Sequence, residues 1–183
     1  VGAACVARAV GWGGGVMVGV ARGRGLGCGH GRRAVKVSAV SRAAGSEGEA
    51  WGVRPGGKQL AKKGARMADE GAGVGPRDLN LVELHDCFAT AELVHYDNLM
   101  LCPDGGAVDF FESGAPWRDG ATPVNVSGGL QSKGHPISAP GIANIWEVCH
   151  PLRGEAGDRQ IEGARVGLAR GLGLEVIAEG IET

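Results

Sequence analysis

Leu79-Asn-Leu-Val-Glu-Leu84-His85-Asp86-Cys87-Phe88, running on into Ala89-Thr-Ala-Glu-Leu-Val-His-Tyr-Asp-Asn-Leu-Met100, decides the fold. Leu79 to Leu84 is a short alternating apolar run bounded by Asp78 and His85-Asp86, which reads as a strand. From Ala89 the residues are good helix formers, with Leu93, Tyr96 and Met100 on one side. The triplet His85, Asp86, Cys87 is therefore expected at a strand-to-helix junction. Such junctions expose side chains at the sheet edge and aim helix N–H groups at them.

Upstream, Leu60, Lys63/Gly64 and Met67 recur at three to four residues, and the pattern stops at Gly71-Ala-Gly-Val-Gly-Pro76, so a short helix and a turn are expected. Downstream, residues 103–123 are rich in Gly, Pro and Asp and read as a long surface excursion. Thr122-Pro-Val-Asn-Val126 reads as a brief strand ending in Ser127-Gly-Gly129. Lys133-Gly-His-Pro136 places His135 in a glycine-flanked turn before a helix from about Pro140. There Ile142, Ile145, Trp146, Cys149 and Leu152 are spaced for one buried face. Ala164–Ala169 and Leu174–Ala178 read as two further strands. The alternation of strand and helix predicts an α/β layered domain.

Composition divides the chain. Of 183 residues 35 are Gly, about 19% against the roughly 7% usual, and only 4% are aromatic. Residues 1–60 carry nine Lys and Arg against two Glu, and the remainder ten against eighteen acidic residues, so a net charge of −1 conceals a basic and an acidic segment. Sixteen glycines in the first sixty residues leave few side chains to bury, so residues 1–58 are expected to be a disordered basic segment. The apolar run Val10–Ala21 is interrupted by glycines, too short to span a bilayer and a poor signal peptide. Gly52-Val-Arg-Pro-Gly-Gly57-Lys58 has P-loop spacing, but Gln59 stands where Ser or Thr should hold magnesium and no strand precedes it; a solvated linker is expected. No aromatic platform accompanies the basic arm, which argues against a nucleic-acid partner. Starting at Val1, the chain reads as a fragment.

Cys5, Cys28, Cys87, Cys102 and Cys149 form no short pair, which argues against a zinc knuckle or a disulfide scaffold; free thiols in the cytoplasm are expected, with no metal, no cofactor and no membrane segment. Cys102 and Cys149 read as small apolar residues, and His95 and His150, without partners at ligand spacing, as surface or capping residues. His85, Cys87 and His135 make a plausible acid/base and nucleophile set, because imidazole shuttles protons near neutral pH and a helix N-terminus lowers a thiol pKa. The blander alternative is that His85 and Asp86 cap a helix while Cys87 packs in the core.

The strings Val82-Glu-Leu-His-Asp-Cys-Phe88, Ala91-Glu-Leu, Leu101-Cys-Pro and Asn125-Val-Ser-Gly-Gly-Leu-Gln-Ser-Lys-Gly-His-Pro-Ile137 closely resemble the C-terminal half of thiolases, in the form found in sterol-carrier-protein-type and related bacterial and archaeal members. The resemblance covers about residues 59–170, including Leu152-Arg-Gly-Glu-Ala-Gly-Asp-Arg-Gln160 and Gly163-Ala-Arg-Val-Gly-Leu168. It implies a thiolase-like layered α/β fold and carbon–carbon bond making or breaking on acyl-CoA thioesters. By the family pattern, His135 activates a nucleophilic cysteine from the N-terminal half and helps bind the thioester oxygen. His85 orients a water or donor in a second oxyanion hole, and Cys87 removes or returns the α-proton. Asn125, Gly128, Gly129 and Gly134 shape the substrate loop around His135. A homodimer and an OB-fold partner protein also follow from the resemblance.

Residues 1–58 contain nothing like the nucleophile-bearing half, so the chain alone is expected to be inactive. Ser138-Ala-Pro140-Gly141 departs from the family's usual Gly-Ala-Thr-Gly. Residues 171–183 are similar instead to a short motif of EAL-type cyclic dinucleotide phosphodiesterases, in which a glutamate matching Glu179 supports a metal site. The other carboxylates of that site are absent, so the segment is read as a substitute edge strand or fusion scar. The alternative to an acyltransferase domain is a non-catalytic binding or assembly module with thiolase architecture.

Overall fold

The structure, a computed structural model, describes residues 35–42, 56–136, 138–171 and 174–180. Cys5, Cys28 and most of the glycine-rich segment lie outside them. Four strands, β1 (Val35–Arg42), β2 (Leu81–Glu83), β3 (Val166–Gly171) and β4 (Leu174–Gly180), form one sheet in the order β1-β4-β3-β2. β4 runs antiparallel to both neighbours, and β3 is parallel to β2. The helices are α1 (Gly56–Ala72), α2 (Ala89–Asn98), α3 (Ala107–Glu112), α4 (Gly129–Lys133) and α5 (Pro140–Arg153).

Period-two alternation sorts the two faces of the sheet. Val82 and Leu168 pair in register and pack with Ala65 and Ala68 of α1 and Tyr96 and Leu99 around α2. Leu81 and Ala169 face the other way, against Val148 and Leu152 of α5. All three residues of β2 are buried, as expected of a strand covered on both faces. At Gly167 an added Cβ would lie 2.6 Å from Val148 Cγ1, so the missing side chain lets α5 approach the sheet.

Several expectations are corrected. Residues 35–42 of the basic segment are not disordered: they form β1, paired with β4 from Val35↔Gly180 to Arg42↔Leu174. Gly56–Lys58 open α1 rather than belonging to a linker. On α1, Ala65 and Ala68 are buried and Met67 is exposed, because the helix lies close to the sheet on small side chains. Residues 122–126 make one parallel bridge, Val82↔Val124, instead of a strand. The excursion after residue 103 contains α3. β4 is an interior strand, not a substitute edge strand. On α5, Ile142 and Trp146 are exposed and the buried stripe is Asn144, Glu147, Val148, Pro151 and Leu152. Two polar residues of that stripe find partners in the fold: Asn144 Nδ2 donates to the Arg170 carbonyl (3.0 Å), while its Oδ1 is buried without a partner, and Glu147 pairs with Arg159 (3.1 Å) and Lys133 (3.6 Å).

Candidate active site

β2 ends in buried Glu83, and the chain leaves it through Leu84 into His85, Asp86 and Cys87 before α2 begins at Ala89. Asn125 holds this exit. Its Oδ1 accepts the Leu84 N–H (2.8 Å), its Nδ2 donates to Glu92 on α2 (3.1 Å), and its own N–H bonds the Val82 carbonyl (2.8 Å). One side chain thus ties the end of β2 to the first turns of α2 from the adjoining 123–125 segment.

Asp86 is buried, and its Oδ1 accepts the Leu130 N–H (2.7 Å) in the first turn of α4. Gly129 makes this contact possible, since its φ is +62° and a Cβ there would lie 2.0 Å from Asp86 Oδ2. Asp86 therefore caps α4, not α2. Gly128 precedes α4, Gly129 is its first residue and Gly134 follows it, so all three frame the short helix that leads to His135.

A second tie runs beneath that loop. Glu83 accepts the Ser127 N–H (3.1 Å) and hydroxyl (2.5 Å), and Lys133 Nζ donates to the Ser127 hydroxyl oxygen (2.5 Å) while lying 3.7 Å from Glu83. Burial pushes the Glu83 carboxyl above the usual carboxylate range, opposed by the Ser127 bonds and by Lys133.

These ties bring His85 and His135 together: their ring centroids are 4.8 Å apart with planes at 83°, an edge-on contact. His85 is buried and His135 exposed. Burial, then the neighbouring His135, holds the His85 imidazole below the usual histidine range; Asp86 opposes this and Arg170 adds to it. Cys87, a free thiol, is half-buried two residues on, in the turn that opens α2, rather than in the core. A neutral imidazole can donate one N–H and accept at its other nitrogen, and a half-exposed thiol can exchange a proton.

His95 was expected at the surface or as a cap. It is instead buried on α2, with Nδ1 facing Arg170 Nη1 at 2.5 Å and its ring bonded to the backbone of His85. A chargeable side chain at helical spacing from Leu99 was the available signal in the sequence. His150, by contrast, stacks on Trp146 (centroids 3.6 Å apart) and bonds the Trp146 carbonyl. Cys102 is half-buried 3.4 Å from Asp97, and burial and that carboxylate push its thiol up to about 11. Among the described residues no group of three or more His, Cys, Asp or Glu could hold a metal ion, and no helix is long and apolar enough to cross a membrane.

Comparison with known proteins places this geometry in a family. The family model described as "Thiolase C-terminal domain-like" matches residues 55–181, a span that includes β4 and so reaches beyond the stretch read as thiolase-like from the sequence. Sterol carrier protein 2 of Rattus norvegicus is 48% identical over 118 residues, 64% of this chain and 22% of that protein. An acetyl-CoA acetyltransferase of Methanothermobacter thermautotrophicus is 45% identical over 109 residues, 60% of this chain and 28% of that protein. The chain thus spans about a quarter of the length of these curated relatives. Among solved structures, an Ltp2-ChsH2(DUF35) aldolase superposes with TM-score 0.72 at 20% identity, over 83% of this chain and 41% of that one. The Bacillus anthracis acetyl-CoA acetyltransferase superposes with TM-score 0.51 at 18% identity, over 80% and 30%. With an α/β sheet covered on both faces and the family match over most of its length, the chain belongs to the thiolase C-terminal domain family.

Proposed function

We propose that this domain is the acid/base half of a thiolase-type acyltransferase acting on acyl-CoA thioesters. The observation that carries the reading is the edge-on contact of His85 with His135, with Cys87 two residues away at the mouth of α2. An enolate at a thioester carbon is too basic to form near neutral pH unless donors stabilise its oxygen. His85, held uncharged by burial and by His135, is suited to orient a donor toward that oxygen. Cys87 would remove or return the α-proton, and exposed His135 would activate a cysteine supplied by the nucleophile-bearing half of the thiolase fold. Asn125 and the glycines around α4 hold the loop and stay out of the chemistry. Coenzyme A enters as part of the substrate, and the chemistry needs no further cofactor.

A second reading, a binding or assembly module, is favoured by the exposure of Phe88, Trp117 and Trp146. A homodimer or an OB-fold partner protein would cover such surface. Support for a partner comes from the aldolase neighbour, which is named as a pair of components, Ltp2 and ChsH2(DUF35).

Deuterium wash-in from D2O at the α-carbon of acetyl-CoA tests both readings, run on this chain with and without a separately expressed thiolase N-terminal half. Exchange above the buffer rate that falls roughly 10²- to 10⁴-fold in Cys87→Ala supports the acyltransferase reading. Binding of acetyl-CoA without exchange selects the binding module. Neither binding nor exchange overturns both.

A further inference from the structure

His95 and Arg170 come from α2 and β3, 75 positions apart, and meet in the core, within electrostatic reach of His85. Alternation along β3 turns Arg170 to the same face as Leu168, the face covered by α2. We propose that His95 and Arg170 form a buried positioning pair, in which the His95 ring anchors the His85 backbone and so keeps the His85 imidazole edge-on to His135.

The chemistry allows only one arrangement of protons. A guanidinium has donors and no acceptor, so His95 Nδ1, 2.5 Å from Arg170 Nη1, must be the bare nitrogen. The ring proton is left on Nε2, the nitrogen that we assign to the ring's hydrogen bond with the His85 backbone. A ring flip would lose both bonds, and a second proton, placed on Nδ1, would remove the acceptor that Arg170 needs. Burial first, then Arg170 and His85, push the His95 imidazole down to about 3, which keeps the ring neutral throughout the neutral range. The groups facing His85 itself are His135, Asp86 and Arg170, so the pair also sets part of the field in which His85 works. His95 touches no substrate on this reading. It is a positioning residue, distinct from the loop ties made by Asn125, Asp86 and Glu83.

The inference rests on the role proposed for His85, but its experiment needs no substrate. Long-range proton–nitrogen spectra of the full-length native chain report each imidazole tautomer, and ring-to-ring nuclear Overhauser effects report the His85–His135 contact. In the native chain His95 is expected as the Nε2–H form from about pH 5 to about pH 8, with the contact present. His95→Phe should lose the contact, and His95→Gln, whose amide keeps a donor near the His85 backbone, should restore it. A native His95 protonated at Nδ1 or doubly protonated above pH 5 overturns the proposal. So does a folded His95→Phe chain that keeps the contact at native intensity. If His95→Phe does not fold, the native tautomer decides alone. Failure of acetyl-CoA exchange with these spectra intact would fall on the acyltransferase reading and spare the positioning pair.

Discussion

His95 links the site to stability through pH. Folded, its imidazole resists protonation down to about 3, whereas unfolded it takes a proton at the ordinary 6.5. Between those values the unfolded chain holds more protons, so the stabilisation is fully present above pH 6.5 and is lost as pH falls toward 3. Urea unfolding at stepped pH should show a loss on the order of 4 kcal/mol across this window. Glu83 acts in the opposite sense: its folded carboxyl holds its proton more tightly than 4.5, so its contribution is present below pH 4.5 and fades as pH rises. The acid limb between pH 6.5 and 4.5 therefore belongs to His95 and, in the same direction, His85. Flattening of that limb in His95→Gln is the expected signature; an unchanged limb would remove His95 as its cause. None of this was legible from residue 95 alone, because a histidine's proton affinity depends on neighbours contributed by another element.

At the scale of elements, the contact of α5 with β3 depends on a missing side chain. Gly167→Ala would place a methyl 2.6 Å from Val148 Cγ1 and 3.0 Å from Leu81 Cδ2, and overpacking of this kind costs about 1–3 kcal/mol. Equilibrium urea unfolding should show the loss, with Val148→Ala in the same chain recovering part of it by making room. The start of the helix was readable: a first turn at about Pro140 matches the observed Pro140–Arg153. Its buried face was not. Hydrophobic spacing pointed to Ile142 and Trp146, yet the sheet covers the stripe containing Asn144 and Glu147, whose partners Arg170, Lys133 and Arg159 lie on other elements. A polar residue becomes a core residue only when something distant satisfies it. β2 and α2 were legible because apolar alternation and helix period are local properties.

The whole molecule depends on a strand from the segment that composition marked as unfit to fold. β1 precedes the span matched by the family model, yet it pairs with β4 at seven positions and covers what would otherwise be an open edge. A chain beginning at Ala43 should therefore lose amide protection along Leu174–Gly180 in hydrogen exchange and scatter light at concentrations where the full chain does not. Unchanged protection there would mean that β1 contributes nothing to the sheet.

The sequence by itself determined the family, the α/β alternation, and the strand-to-helix junction that carries His85 and Cys87, because these reside in contiguous strings and short-range periodicity. Tertiary structure alone decided that β4 lies inside the sheet, that His85 meets His135 fifty positions away, and that His95 is a buried partner of Arg170. Each of those outcomes is set by strand register and helix docking. Such long-range pairings are chosen by burial and hydrogen-bond satisfaction over the whole chain, which no local stretch of residues encodes.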